Sequence, residues 1–233
     1  MIELIYSPKW FFGKDIVIDG VSIFVLSLIA YFSLRYYFLN KKNKKHLFFA
    51  LSFFVMALSF FFKIITNFTL YSRAVRITHI GFLTLTYSSV HASGILFYVG
   101  FLIHRILMLT GLFILYLIYS RNSKSGNVLI FYLILLSTYF SKSAYYVFHL
   151  TALMFLLIIT LQYVIVYRAV KRNANKWLLF SFGLITLSQI IFVFVKLNSF
   201  YYVLAETVQL LGYLALLITF IKVLKYGKKK RAK

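Results

Sequence analysis

Apolar runs of membrane-spanning length recur from one end of this chain to the other, each closed by a short polar or basic stretch. The pattern predicts seven helices. They cover about 16–39, 46–68, 94–119, 128–140, 145–170, 177–197 and 200–224, and the fourth is short for a full span. The first ends in NKKNKK, the third in SRNSKSGN, the fifth in KRNANK and the seventh in KYGKKKRAK. The expected fold class is therefore an all-α integral membrane protein with seven transmembrane helices in a single domain, residues 1–233. Residues 1–15 read as a short amphipathic stretch with Trp10, Phe11 and Phe12 as an interfacial anchor.

The segment 70–92 is nearly long enough to span, yet it carries Arg73, Arg76, His79 and His91. Charge bias decides how to read it, because Lys and Arg collect in short cytoplasmic loops. With seven spans and the N-terminus outside, the cytoplasmic stretches 40–45, 120–127, 168–176 and 222–233 hold 17 of the 26 Lys and Arg residues. An eighth span would move 168–176 outside and break that pattern. The reading is thus an outer interfacial or re-entrant element at 70–92 and a basic cytoplasmic tail at 222–233. A true span with irregular topology elsewhere is the alternative.

Composition agrees with the membrane class. The chain is 62% hydrophobic, against about 45–50% for a soluble domain. Its net charge of +22 follows topology rather than a groove, so nucleic acid is not an expected partner. Membrane lipid is, with anionic headgroups at the basic tail, and a cytoplasmic or membrane protein partner is a further candidate. There is no cysteine, hence no disulfide, thiolate metal site or cysteine nucleophile. The N-terminus lacks the order of a cleaved signal peptide, so Met1 is expected to remain. The expected location is the cell membrane, as a multi-pass protein. The sequon at Asn67 abuts the membrane and is expected to be unused.

Helices 1–3 and 5–7 form a candidate parallel 3+1+3 repeat. KKHLFFALS aligns with NKWLLFSFG, placing Lys45 on Lys176, and LTGLFIL aligns with LLGYLAL, placing Gly111 on Gly212. The layout invites comparison with opsins and with SWEET or PQ-loop transporters, and the residues argue against both. The middle of helix 7 has no lysine for a Schiff base, and the single proline, Pro8, lies outside every helix.

Four acidic residues exist, and Glu206 lies inside helix 7, where Tyr202, Glu206, Gln209 and Tyr213 share one face. A carboxylate in an apolar helix needs a partner. Glu206 lies roughly 10 Å and Arg105 roughly 15 Å in from the outer edge, so a buried Arg105–Glu206 pair is geometrically open, with His104 beside it. This set, His104, Arg105, Glu206 and Gln209, is the candidate ligand pocket or structural ion pair. A second set, Lys63, His149 and Lys196, with Lys142, Arg73 and Arg76, reads as snorkelling lysines or an outer cationic vestibule. Haem between His104 and His149 is the weakest candidate. No cofactor and no metal site are expected. No phosphate loop, paired carboxylates, HExxH or GxSxG is present, so nothing marks an enzyme. The readings left are a ligand-binding or sensing protein, a small secondary transporter, or a structural subunit of a larger complex.

Overall fold

The computed structural model describes residues 7–11, 13–39, 43–71, 78–80, 83–85, 90–119, 124–171 and 173–231. Among the described residues there are seven α-helices: α1 Lys14–Leu39, α2 Lys45–Tyr71, α3 Val90–Leu117, α4 Lys124–Phe140, α5 Tyr145–Val170, α6 Asn173–Val193 and α7 Phe200–Arg231. Six are long and apolar enough to cross a membrane, and α4, with 17 residues, is shorter. The protein is consistent with a multi-pass membrane protein. Its outward faces carry large apolar side chains such as Phe24, Phe54 and Met154.

Helix ends follow local chemistry. The Asp15 carboxylate accepts from the backbone N–H groups of Gly13 and Ile16 where α1 begins. Lys171 caps α5 in the left-handed conformation (φ 48°), its N–H donating to Tyr167 O. Asn198 Oδ1 accepts from Phe200 N at 2.8 Å and starts α7, so α6 ends at Val193, short of 197. At its far end α7 runs on through the basic tail to Arg231. Lys and Arg are good helix formers and suit a helix C-terminus, which explains the extension past 224.

Between α2 and α3, strands β1 (Thr78–Ile80) and β2 (Leu83–Leu85) pair antiparallel, Thr78 opposite Leu85 and Ile80 opposite Leu83. Three residues are far too few for a spanning strand, which needs about 9–11. Arg73 and Arg76 lie outside the described residues.

The six long helices close into a ring. α1 packs on α2, α2 on α3, α3 on α5, α5 on α6, α6 on α7, and α7 on α1, with α4 outside against α3 and α5. Two glycines let helices approach closely. A Cβ on Gly111 would meet Met56 Cγ at 2.5 Å and Ser52 O at 3.1 Å. One on Gly212 would meet Ile185 Cγ1 at 2.6 Å and Ile185 N at 3.1 Å. Each α3 or α7 glycine thus seats against a serine turn of the preceding helix. At one end of the ring, Phe11 is buried against Phe192 and Tyr202. Phe11 thus packs against the helices, whereas Trp10 is exposed with Lys14 over its ring. Phe12 lies outside the described residues.

Gly111→Val and Gly212→Val should each lower stability by about 1–3 kcal/mol through overpacking. Gly20→Ala and Gly183→Ala, where a Cβ meets nothing within 4 Å, should leave the melting temperature in detergent unchanged or higher. Thermal melts of the four variants check this.

Candidate functional site

The polar residues gather at the end of the ring where α1, α5 and α7 begin and α2 and α6 end. Asp19 shares the buried face of α1 with Asp15, Ser22 and Leu26. Lys63 lies in the last turns of α2 and Glu206 roughly 9 Å along α7. Lys63 Nζ bonds Asp19 Oδ1 at 2.8 Å and Glu206 Oε1 at 2.5 Å. Both carboxylates are buried and the lysine is 15% exposed. One ammonium therefore ties α1, α2 and α7 together. In a low-dielectric interior this contact satisfies charges that would otherwise be costly. Two carboxylates share one cation, and Asp19 Oδ2 has no partner among the described residues.

This corrects two expectations. The ion-pair partner of Glu206 is Lys63, not Arg105, and Lys63 turns into the ring rather than snorkelling out. Arg105 instead donates to Ser141 O at 2.8 Å, at the end of α4. Its guanidinium lies 3.8 Å from the Phe101 ring centre, 5.0 Å from that of Phe148 and 5.2 Å from that of Tyr145. That arrangement holds the cation by aromatic faces and a carbonyl, at the seam of α3, α4 and α5. The described members of the second set do not gather at one place. Lys142 and Lys196 are exposed over Tyr98 and Tyr146, whereas His149 is buried with Lys63 in the interior.

A cavity of about 110 Å³ occupies the middle of this end of the ring. It reaches from Ser7 and Asn67 inward to Leu112 and Tyr213. Lys63, His104, Arg105, His149, Glu206 and Gln209 all contribute to its wall. Lys196 does not. The α7 residues Tyr202, Glu206, Gln209 and Tyr213 are all buried and all face it. Gln209 Nε2 donates to Tyr213 OH at 3.1 Å.

Hydrogen bonds set the tautomers of the two histidines. Ser59 Oγ donates to His104 O at 2.8 Å, and His104 Nδ1 lies 3.0 Å from Ser59 O and 2.7 Å from Ser59 Oγ. A carbonyl oxygen only accepts, so Nδ1 carries the proton. Ser188 uses its proton on Ile185 O, so its oxygen accepts from Gln189 Nε2. Gln189 Oε1 then accepts from His149 Nδ1 at 2.8 Å. With Nδ1 carrying the proton, Nε2 of the neutral imidazole is the acceptor. His149 Nε2 is buried without a partner among the described residues.

Asp19, Tyr145 and Phe148 were not singled out from the sequence. The available signal for Asp19 was its i, i+4 spacing from Asp15 and i+3 spacing to Ser22 in an otherwise apolar helix. Among the described residues no group of three His, Cys, Asp or Glu side chains is placed to hold a metal ion. Comparison of the chain with protein families, with curated proteins and with solved structures finds no match.

Lys63→Met should destabilise the protein by about 3–5 kcal/mol, because it leaves two buried carboxylates without their cation. Asp19→Asn and Glu206→Gln added to Lys63→Met should restore most of the loss. Arg105→Gln combined with Glu206→Gln should be additive within about 0.5 kcal/mol. Chemical denaturation in detergent reads all three.

Proposed function

We propose that this chain is a non-enzymatic membrane protein that binds a small polar solute in the cavity bounded by His104, Arg105, Glu206 and Gln209. The observation that carries this reading is the cavity itself, which reaches Glu206 and is lined by buried polar groups whose bonding capacity the protein leaves open, His149 Nε2 above all. A purely structural ion pair needs no such space, and a packed interior would close it. The basic stretches support an N-terminus outside and a C-terminus in the cytoplasm, for a protein that we place in the cell membrane. In that orientation the cavity opens in the outer half. The tail beyond Lys222 would then meet anionic lipid headgroups or a cytoplasmic protein.

A second reading, solute transport, is favoured by correspondence between α1–α3 and α5–α7. Aligning Asp19 with His149 sets Ser22 on Ala152, Val25 on Phe155, Leu26 on Leu156 and Ile29 on Ile159, buried in both. Aligning Ser52 with Ser181 sets Phe53 on Phe182, Met56 on Ile185, Ser59 on Ser188 and Phe60 on Gln189. Aligning Gly111 with Gly212 sets Phe101 on Tyr202, Arg105 on Glu206, Leu112 on Tyr213 and Leu115 on Leu216. The ring contacts pair off in the same way, α3 on α5 with α7 on α1. These matches support the 3+1+3 repeat, with the α2 register two residues from the sequence alignment, so that Phe49 rather than Leu47 meets Leu178. A parallel repeat requires α4 to cross the membrane, making seven spans. Solute sites in repeated transporters lie between the halves, where this cavity lies.

The chain has no cysteine, so introduced cysteines report alone. Ala152→Cys and Gln209→Cys, on the cavity wall, should react with a small charged methanethiosulfonate reagent much faster than Leu115→Cys, which is fully buried in the apolar core. Equal, slow labelling of all three would contradict a solute-accessible cavity. Labelling from both faces of oriented vesicles would favour transport, and from one face binding.

A further inference from the structure

The cavity has a preferred charge. In and beside the cavity the described residues place three carboxylates, Asp15, Asp19 and Glu206, against two cations, Lys63 and Arg105, so this cluster is one cation short. Two features on the cavity wall are placed for a donor, while Asp19 Oδ2, also without a partner among the described residues, lies outside the lining and adds only its charge. His149, 5% exposed, lines the cavity, and its buried Nε2 has no partner among the described residues. His104 lines the same wall with its proton held on Nδ1 by Ser59. Carboxylates and bare imidazole nitrogens accept and do not donate. The wall between them is aromatic, with Phe60, Phe148, Phe192 and Tyr202 bordering the space. Ring faces attract cations, and Lys63 already lies 5.5 Å from the Phe60 ring centre.

We infer that the cavity selects a small organic cation bearing an ammonium group, with the N–H donors meeting Glu206 and the imidazole Nε2 atoms and the carbon skeleton meeting the aromatic wall. This rests on the binding reading above and gives it a ligand class. The volume of about 110 Å³ has room for roughly seven to ten waters, hence a solute with about that many heavy atoms or fewer. An anion would meet the excess carboxylate, with the Arg105 guanidinium on the same wall already engaged by Ser141 O and ring faces, and a neutral hydrocarbon would leave the acceptors unmet. A metal ion has no three-ligand set among the described residues. Protonation of Asp19 or Glu206 is the competing way to neutralise the cluster.

The test is a charge series of one shape: n-butylammonium, 1-butanol and butyrate, titrated by calorimetry into the full chain in detergent at matched ionic strength. The ammonium should bind wild type, and the alcohol and carboxylate should bind at least about tenfold more weakly. Glu206→Gln and His149→Phe should each weaken ammonium binding by about tenfold or more. The second variant leaves the ion cluster intact, which separates lost recognition from lost folding. Butyrate or butanol binding as well as the ammonium, or ammonium binding unchanged in both variants, would overturn the ligand class and leave the cavity reading standing. No binding by any of the three, with Ala152→Cys labelling fast, would mean that a proton neutralises the cluster and would likewise overturn the ligand class. Slow labelling at Ala152→Cys would instead remove the cavity reading itself.

Discussion

A lysine ammonium held between two carboxylates is the contact on which this fold depends. Apolar helices in lipid gain little from one another by hydrophobic burial, because lipid tails are as apolar as leucine. Register must come from close packing and from polar contacts. Lys63 supplies the polar contact for three neighbours at once, since Asp19, Lys63 and Glu206 come from α1, α2 and α7. Gly111 and Gly212 supply the close packing for α2 against α3 and α6 against α7. Ring closure between α7 and α1, the joint between the first and last helices in the chain, is where the ion cluster sits.

The two proposed halves differ in chemistry at matched positions. Where the first half pairs Asp19 with Lys63, the second stacks His149 on Phe192, with ring centres 4.5 Å apart at 19°. Arg105 stands opposite Glu206 in the same correspondence, with aromatic faces and the Ser141 carbonyl among its partners. The ring is therefore similar in packing and unequal in charge. An acidic wall on α1 and α7 faces a cationic, aromatic wall on α3 and α5. That inequality gives the cavity its polarity.

Much of the architecture was legible because periodicity and length report directly on membrane helices. α5 falls on its expected bounds of 145–170, and α1, α3 and α4 lie within a few residues of theirs. Ends were less legible where a short-range bond decides them, as with Asn198, or where the last turn is basic, as in α7. The partners of the charged residues were the hardest to read. Axial depth alone allowed Arg105 to reach Glu206, but which helices are neighbours depends on ring order, and α7 lies against α1 rather than α3. Lys63 was read as a boundary residue because a lysine near a helix end usually extends to the headgroups. Here α2 continues to Tyr71, and two carboxylates wait inside. The spacing of Asp15, Asp19 and Ser22 on one face of α1 carried that information.

The most direct test is solid-state NMR of the chain in lipid bilayers, with ¹⁵N-labelled lysine and arginine and ¹³C-labelled carboxylates. The account predicts that the Lys63 ¹⁵Nζ signal shows short-range coupling to both Asp19 Cγ and Glu206 Cδ, at separations set by N···O contacts of 2.8 and 2.5 Å. Coupling of Glu206 Cδ to the Arg105 guanidinium instead, or a Lys63 signal coupled to neither carboxyl carbon, would contradict it.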